Sequence, residues 1–463
     1  MNCLRRLTPL LSRTTTALCP LSSAIASRPV LLTTAKTSTK SLLNRQYRRW
    51  TSSSSSSPVL STRSDDEAVY IDWNAAYANH IGLFDNNITS SYSHVWLRDN
   101  CPCEACVHPS SRQKLHSMAD IDLNTTPRSI HLDTSTDTLV IEWEQPLRHQ
   151  QQHEGGHKSH YPLAYLRRYA SQQSSQEFRF ENLIPRTWAR DEYQLEWISH
   201  DDYMTTEQGL HRVVEKLYND GLVFLEGVPA DDHQSVTRVA ERIGNIQETF
   251  YGRDFDVKNV AKSVNIAYTS LYLGFHMDLM YLDCPPGIQL LHCMKNNVTG
   301  GASIFLDSYR AVELLKQQYP ECYDILRKTP VSFHYINNGH HMYYRRPTIV
   351  TDEGYGLGSS WNMHVNYAPQ FQGPMDELTP KEMKRFYQAF QRFADFIEDE
   401  SLRYQITLQP GQLVLFANRR VLHGRTAFDP ASGDRHLKGT YLALDSLKDK
   451  VRTLGAKYGM NPV

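Results

Sequence analysis

The chain of 463 residues has no acidic residue before Asp65, and its net charge is only −1. Without a basic excess it is not expected to bind nucleic acid. No apolar run approaches the ~20 residues that a transmembrane helix needs, so we expect a soluble or peripheral protein without a membrane span. The glycine fingerprint of dinucleotide-binding folds and the phosphate-binding loop are both missing. The two commonest nucleotide-binding motifs are therefore excluded.

The first 64 residues differ from the rest of the chain. They contain ten Lys and Arg and many Ser and Thr, a composition typical of an organellar transit peptide. The segment "RRW", followed by "TSSSSSS", suits a processing site and a flexible linker. We therefore predict a mitochondrial transit peptide and linker over residues 1–64, and a matrix protein. A basic tail without a targeting role is the alternative.

The rest of the chain is predicted to form two domains. The whole sequence is 40% hydrophobic and 21% charged, as in globular proteins. Strand-like runs such as "HVWLRDN" and "TLVIEWE" predict a small β-rich domain over residues 68–172. Over residues 178–463, many short β-like runs accompany a few helices. This combination predicts a mainly β jelly-roll with helical decoration.

Two helices have clear ends in the sequence. The stretch "TEQGLHRVVEKLYNDG" carries an apolar stripe and stops at Gly221. The stretch "TPKEMKRFYQAFQRFADFIEDE" begins at Thr379, with Pro380 in the first helical position and Glu382 closing a capping box. The buried face of the second helix is predicted to consist of Phe386, Phe390, Phe393 and Ile397.

Three His-x-Asp pairs occur, beginning at His131, His200 and His276. In an extended strand, residues two apart point to the same side, so each pair can offer two metal ligands. The pairs at 131 and 200 lie before the predicted barrel strands and have no matching third ligand downstream. We interpret these two pairs as surface turns.

The pair His276 and Asp278 has a candidate partner 147 residues later. His423 follows the apolar strand "GQLVLFA", and Arg435 begins another strand twelve residues beyond it. Two histidines and one carboxylate are the ligands of a non-haem Fe(II) site with open positions. The planar fork of an arginine can bind a carboxylate with two parallel hydrogen bonds. The four residues together therefore predict an iron site beside a carboxylate-binding site.

Three cysteines, Cys101, Cys103 and Cys106, lie on one short stretch. In a reducing compartment such a cluster indicates a metal site rather than disulfides. Structural zinc needs a fourth tetrahedral ligand. By proximity in sequence, the candidates are His94, His108, His153, His157 and His160. A loop with free thiols is the alternative.

From about His94 to Tyr441 the sequence resembles the γ-butyrobetaine and trimethyllysine hydroxylases. The stretches that carry the resemblance include "VWLRDNCPCEAC", "GFHMD", "PPGIQLLHC", "LHGR" and "RHLKGTY". This family consists of 2-oxoglutarate-dependent oxygenases of carnitine biosynthesis. The resemblance implies an N-terminal zinc domain and a double-stranded β-helix oxygenase domain. It also implies hydroxylation of a small substrate with O2, release of succinate and CO2, ascorbate as reductant, and a homodimer.

The resemblance assigns roles to individual residues. The implied Fe(II) ligands are His276, Asp278 and His423. Arg435 is implied to bind the distal carboxylate of 2-oxoglutarate, with Ser303 assisting. The implied zinc ligands are Cys101, Cys103, Cys106 and His160. Because a long insertion precedes His160, His157 remains a rival for the fourth zinc position.

A trimethylammonium group is recognised by aromatic faces through cation–π attraction. The residues that resemble such a cage are Tyr251, Phe255, Tyr268 and Tyr441. Asn265 is implied to bind the substrate carboxylate, and Phe255 stands where the family usually has tryptophan. The site stretches favour γ-butyrobetaine, whereas the presequence favours trimethyllysine. A sister oxygenase acting on another small amine or carboxylate, and a catalytically silent binding protein, are the remaining alternatives.

Overall fold

The computed structural model describes residues 58–74, 89–147, 156–181, 183, 185–259, 266–351 and 363–460. Most of the predicted transit peptide and Asn265 lie outside the described residues. Within these ranges, no helix combines the length and the apolarity needed to cross a bilayer.

The N-terminal part consists of two three-stranded antiparallel sheets with the orders β1-β2-β3 and β4-β5-β6. Its strands are β1 (Val59–Ser64), β2 (Ala68–Trp73), β3 (Thr89–Ser93), β4 (Pro127–Asp133), β5 (Thr138–Trp143) and β6 (Lys158–Pro162). Its helices are α1 (His94–Asp99), α2 (Leu163–Arg167) and α3 (Gln172–Phe178), with a 3-10 turn at Met118–Asp120. Both sheets contribute to one apolar core, in which Trp73 and Trp143 are fully buried.

Two predictions for this part are wrong. The last residues of the predicted linker form β1, which pairs with β2 and buries Val59. The stretch "HVWLRDN" forms helix α1 instead of a strand. Its buried residues include His94, Leu97 and Arg98, and the spacing of three to four residues places them on one helical face. The strand predicted at "TLVIEWE" is confirmed as β5.

The C-terminal part contains sixteen strands and seven α-helices among the described residues. The strands are β7 (Trp197–Ser199), β8 (Leu222–Glu226), β9 (Phe255–Lys258), β10 (Leu273–His276), β11 (Ile288–Asn296), β12 (Thr299–Gly300), β13 (Ser303–Asp307), β14 (Pro330–Asn337), β15 (His340–Pro347), β16 (Ile349–Val350), β17 (His364–Val365), β18 (Tyr404–Ile406), β19 (Leu413–Ala417), β20 (Val421–Arg425), β21 (Phe428–Asp429) and β22 (Arg435–Leu442). The helices are α4 (His200–Thr205), α5 (Glu207–Asp220), α6 (Ser235–Ile243), α7 (Ser308–Gln318), α8 (Pro320–Lys328), α9 (Pro380–Ile397) and α10 (Leu444–Tyr458), with 3-10 turns at Ile266–Tyr268 and Pro369–Phe371.

Two facing sheets form the double-stranded β-helix, which confirms the predicted fold class. The larger sheet has the order β7-β8-β19-β11-β22-β9, and the smaller has the order β10-β20-β13-β18. Their inner faces meet in an aromatic core: the ring of Phe305 lies 5.5 Å from Phe416 and 6.0 Å from Phe224. Helices α5, α6 and α10 cover the outer face of the larger sheet. The strands that carry the predicted site residues therefore belong to a fixed, two-layered scaffold.

Both helix ends predicted from the sequence are confirmed. Helix α5 ends at Gly221, whose φ of 70° lies in the left-handed region that favours glycine. Thr379 and Glu382 form the capping box of α9. Of its phenylalanines, Phe386 and Phe393 are fully packed in the core.

Candidate metal and substrate site

Two neighbouring strands of the smaller sheet bring a pair of histidines together. His276, at the end of β10, lies directly opposite His423 in β20. The chain then turns after β10, and this turn places the carboxylate of Asp278 beside both imidazole rings. Its Oδ1 lies 3.4 Å from Nε2 of His276, and its Oδ2 lies 3.9 Å from Nε2 of His423. Ligands about 2.1 Å from one ion lie about 3 to 3.5 Å apart, so small shifts let these three side chains share a metal.

Neighbouring polar groups orient the three side chains. The carbonyl of Gly274 accepts a hydrogen bond from Nδ1 of His276 at 2.9 Å, which leaves the lone pair of Nε2 for a metal. The amide of Asn418 is fully buried and holds the backbone of Asp278 from both sides, accepting from its N–H and donating to its carbonyl. The site is therefore pre-arranged by the loop after β19 as well as by the two strands.

The protonation states also suit a metal site. Burial by itself would raise the pKa of Asp278, but the neighbouring His276 and His423 hold this pKa well below its ordinary value. Burial and the neighbouring His276 lower the pKa of His423 to about 3. An ionised carboxylate and neutral imidazoles are the forms that bind metals.

The hydroxyl of Tyr441 contacts the same carboxylate. It donates a hydrogen bond to Oδ2 of Asp278 at 2.7 Å. Its ring is stacked on Phe255, with centroids 4.9 Å apart and planes inclined by 25°. The tip of the Phe255 ring in turn packs closely over Gly439, where an added Cβ would come within 2.4 Å of the ring. Tyr441 thus links the three side chains of the candidate metal site to the aromatic lining.

One cavity contains the triad and most of the other predicted site residues. The predicted residues that line it are His276, Asp278, His423, Arg435, Ser303, Tyr251, Phe255, Tyr268 and Tyr441. Asn265 lies outside the described residues and cannot be placed. The rings of Phe255 and Tyr441 cover one face of each other, so only their other faces can meet a ligand.

Arg435 brings a buried positive charge to this cavity. Its side chain is almost fully buried, and burial together with Arg425 lowers its pKa to about 10, so it stays protonated at neutral pH. Its Nε finds no hydrogen-bond acceptor and its guanidinium no ion pair in the described part of the chain. A buried charge without a partner is costly. This site is therefore complementary to an anionic ligand.

Arg425, which lies near Arg435, binds backbone carbonyl groups. Its guanidinium donates hydrogen bonds to the carbonyls of Ala267, Thr269 and Leu271, at 2.7 to 3.1 Å. These residues flank Tyr268, so Arg425 holds in place the turn that brings this ring to the cavity.

The sequence analysis missed further cavity residues with polar or aromatic side chains. Besides Arg425, they are Tyr281, Gln289, Gln370 and Phe371. Gln289 is buried in β11, and its Oε1 has no hydrogen-bond partner among the described residues. Its position inside the otherwise apolar stretch "GIQLL" was a usable signal for it. Tyr281 is stacked on Tyr335 of the β14–β15 hairpin, a contact that no sequence pattern indicates.

The three cysteines form a second cluster, in the N-terminal part. Nε2 of His157 lies 3.3, 3.7 and 3.5 Å from the sulfur atoms of Cys101, Cys103 and Cys106. In a tetrahedral site with ordinary Zn–S and Zn–N lengths, sulfur and nitrogen are about 3.5 Å apart. The four side chains thus match a closed Cys3His site.

The expectation that His160 completes this cluster is wrong. His157 extends β6, since its carbonyl accepts from the N–H of Trp143. Residues three apart in a strand point to opposite faces. His157 therefore faces the cysteines together with the buried Ser159 and Tyr161, whereas His160 is exposed.

Two family models match the chain. The model "Taurine catabolism dioxygenase TauD, TfdA family" matches residues 196–441, and "Gamma-butyrobetaine hydroxylase-like, N-terminal" matches residues 60–167. Dioxygenase str8 of Strobilurus tenacellus is 36% identical over 81% of this chain and 87% of its own length. A gamma-butyrobetaine dioxygenase of Pseudomonas sp. (strain AK-1) is 32% identical over 82% of this chain and 95% of its own. The mitochondrial trimethyllysine dioxygenase of Bos taurus is 29% identical, over 82% and 84% respectively.

Proposed function

Since the chain belongs to the TauD/TfdA family and is an Fe(II)- and 2-oxoglutarate-dependent dioxygenase, we propose that it hydroxylates a small trimethylammonium substrate, γ-butyrobetaine in the first place. The observation that carries this proposal is one cavity that combines three side chains able to bind a metal, several aromatic rings and a buried arginine that forms no ion pair within the described ranges. In this proposal the product is carnitine, with succinate and CO2 released.

His276, Asp278 and His423 are the proposed Fe(II) ligands. Two imidazole nitrogens and one carboxylate are the donor set of non-haem Fe(II) oxygenases, and they leave positions open for a second ligand. Bound Fe(II) with 2-oxoglutarate supplies the oxidation of an unactivated C–H bond by O2. The chain's own residues then have to bind both substrates, orient the reacting carbon and exclude water.

Arg435 and Ser303 are the proposed binding residues for 2-oxoglutarate. The guanidinium has no anionic partner in the described ranges and lies in the same cavity as the triad. A carboxylate bound by the arginine fork gains two parallel charge-assisted hydrogen bonds. The distal carboxylate of 2-oxoglutarate is therefore the group that removes the cost of burying Arg435.

The aromatic rings are the proposed recognition site for the trimethylammonium group. Each well-placed ring contributes about 0.5 to 2 kcal/mol of cation–π attraction. Tyr251 and Tyr268 line the cavity beside the stacked pair of Phe255 and Tyr441. Because each ring of this pair offers only its outer face, we expect Tyr251 and Tyr268 to contribute most of the cation–π attraction.

One observation favours trimethyllysine as a second candidate. The buried Oε1 of Gln289 lacks a hydrogen-bond donor in the described structure. The α-ammonium group of trimethyllysine has N–H donors that would satisfy such an acceptor, whereas γ-butyrobetaine has none. If Gln289 accepts from this ammonium group, Gln289→Leu should lower turnover of trimethyllysine and leave turnover of γ-butyrobetaine unchanged. An equal effect on both substrates would contradict this role of the residue.

The decisive experiment compares substrates by mass spectrometry. The enzyme is incubated with Fe(II), ascorbate and 2-oxoglutarate, together with γ-butyrobetaine, trimethyllysine or a neutral analogue with C(CH3)3 in place of N(CH3)3⁺. We expect one added oxygen on a cationic substrate, and roughly 1 to 3 kcal/mol weaker binding of the neutral analogue, or about 5- to 150-fold. Equal turnover of the cation and its isostere would refute the trimethylammonium assignment.

A triad variant serves as the control. His423→Ala should abolish both succinate and hydroxylated product while leaving the fold intact. Activity near that of the wild type would refute the proposed iron ligands.

We also propose that the enzyme works in the mitochondrial matrix and is processed before Val59. The basic, acid-free composition of the presequence supports this location, and β1 limits the processing point because it is part of the folded sheet. Import of a fluorescent fusion of residues 1–57 into mitochondria tests the proposal. A diffuse cytosolic signal would contradict it.

A further inference from the structure

A third group of metal-ligating side chains lies behind the cavity, on the other face of the larger sheet. Along β22, residues alternate between the two faces. Arg435 and Leu437 line the cavity, so His436 points to the opposite side. There it meets Asp256 of β9 and His233 of the loop before α6, and one ligand atom from each lies within 4.8 Å of the others.

The donor atoms of this group already approach one another closely. Nε2 of His436 lies 2.6 Å from Oδ1 of Asp256, and the rings of His233 and His436 are 5.8 Å apart between centroids. Around a metal with bonds of about 2.1 Å, the first pair would be about 3 to 3.5 Å apart. An ion that replaces the proton between His436 and Asp256 therefore requires them to separate by less than 1 Å.

Of the three residues, His436 is held in place by its strand, whereas His233 can change its orientation. His436 is 8% exposed, and its strand is paired on both sides. His233 is exposed and lies on a loop, so it can rotate to complete the site. Asp256 follows directly after Phe255 in the edge strand β9.

Two lysines lie close enough to compete with a cation. Nζ of Lys438 is 3.6 Å and Nζ of Lys258 is 3.9 Å from Oδ1 of Asp256. Lys438 has a nearer partner, because its Nζ is only 2.7 Å from Oδ1 of Asp254. The two aspartates balance the two lysines, so a divalent ion does not meet a net positive surface here.

We propose that His233, Asp256 and His436 form a second divalent-metal site, which we call the outer site. Two imidazoles and one carboxylate suit late first-row ions such as Zn(II) and Ni(II), with water in the remaining positions. The outer site is independent of the proposed reaction, since none of its residues lines the cavity. A bound ion would clamp the edge strand β9 to β22 directly behind Phe255 and Arg435.

The test measures Ni(II) binding by calorimetry on the full-length, zinc-loaded chain. A His276→Ala/His423→Ala background removes the triad as a competing site. In this background we expect one equivalent of Ni(II), and its loss when His233→Ala is added. Asp256→Asn should weaken binding at least about tenfold, by analogy with the 10- to 100-fold effects of residues that only support a ligand.

A matched control and a second readout complete the experiment. His131→Ala, a change of an exposed histidine in β4, should leave the stoichiometry unchanged. In the His276→Ala/His423→Ala background, Ni(II) should raise the thermal midpoint of the chain, and adding His233→Ala should abolish this rise. Ni(II) binding that survives His233→Ala, or that occurs only at millimolar concentrations, would overturn the proposal whatever the outcome of the substrate assays.

Discussion

Tyr441→Phe separates two roles that the structure combines in one side chain. The hydroxyl donates to Oδ2 of Asp278 at 2.7 Å, while the ring is stacked on Phe255 at 4.9 Å. The substitution removes the oxygen and keeps the ring. We therefore expect weaker Fe(II) binding with nearly unchanged recognition of the substrate.

The size of the effect follows from the environment of this hydrogen bond. A hydrogen bond to a charged group contributes about 1.5 to 3 kcal/mol, which corresponds to about 10- to 150-fold in affinity. The side chain of Asp278 is still 19% exposed, so water can replace part of the lost interaction. We expect the lower end of this range, about tenfold.

The assay is anaerobic competition for Fe(II) with a chelator, followed by substrate KM. The matched variant is Phe255→Leu, which removes the stacked ring but keeps the Tyr441 hydroxyl. It should raise the substrate KM and leave Fe(II) affinity unchanged. If Tyr441→Phe binds Fe(II) like the wild type and only raises the substrate KM, the hydroxyl has no part in positioning the carboxylate.

Three further predictions concern the anion site, the zinc cluster and the turn beside the cavity. Arg435→Lys should raise the KM for 2-oxoglutarate about tenfold or more, because an ammonium group cannot form two parallel hydrogen bonds. His157→Ala should lower the zinc content from one per chain and reduce the thermal midpoint, whereas His160→Ala should change neither. Arg425→Met should release the turn at Tyr268 and raise the substrate KM in steady-state kinetics. An unchanged KM would show that the turn keeps its conformation without the hydrogen bonds from Arg425.

The grouping of the triad was predictable because it depends on strand pairing. In the sequence, His276 ends one apolar strand and His423 follows another, "GQLVLFA". In the structure His423 lies in the next strand, β20, which pairs with β10 in the smaller sheet. His276 and Asp278 were predicted to lie on one face of the same strand. In the structure β10 ends at His276, and Asp278 lies in the following turn. Leu279, with φ of 63°, adopts a left-handed conformation that is uncommon outside glycine. No local sequence signal identifies this turn.

The wrong choice of histidine at the cysteine cluster has a simple physical origin. Which histidine faces the cysteines depends on which residues of β6 point to each face of the sheet. That alternation depends in turn on where the strand begins. The insertion before His157 hides that starting point in the sequence. A shift of one residue exchanges the two faces of a strand, so His157 and His160 could not be separated until the pairing of β6 with β5 was known.

The same rule of alternation explains how β22 can carry several functions. Arg435, Leu437 and Tyr441 point into the cavity, and His436 points towards Asp256 on the opposite face. The pairing with β11 shifts register between Cys293 and Lys295, next to the point where β22 begins. Such irregularities re-aim side chains near active sites. Because a slip of one residue would turn Arg435 outward and His436 inward, the position of this irregularity fixes which charge the cavity contains.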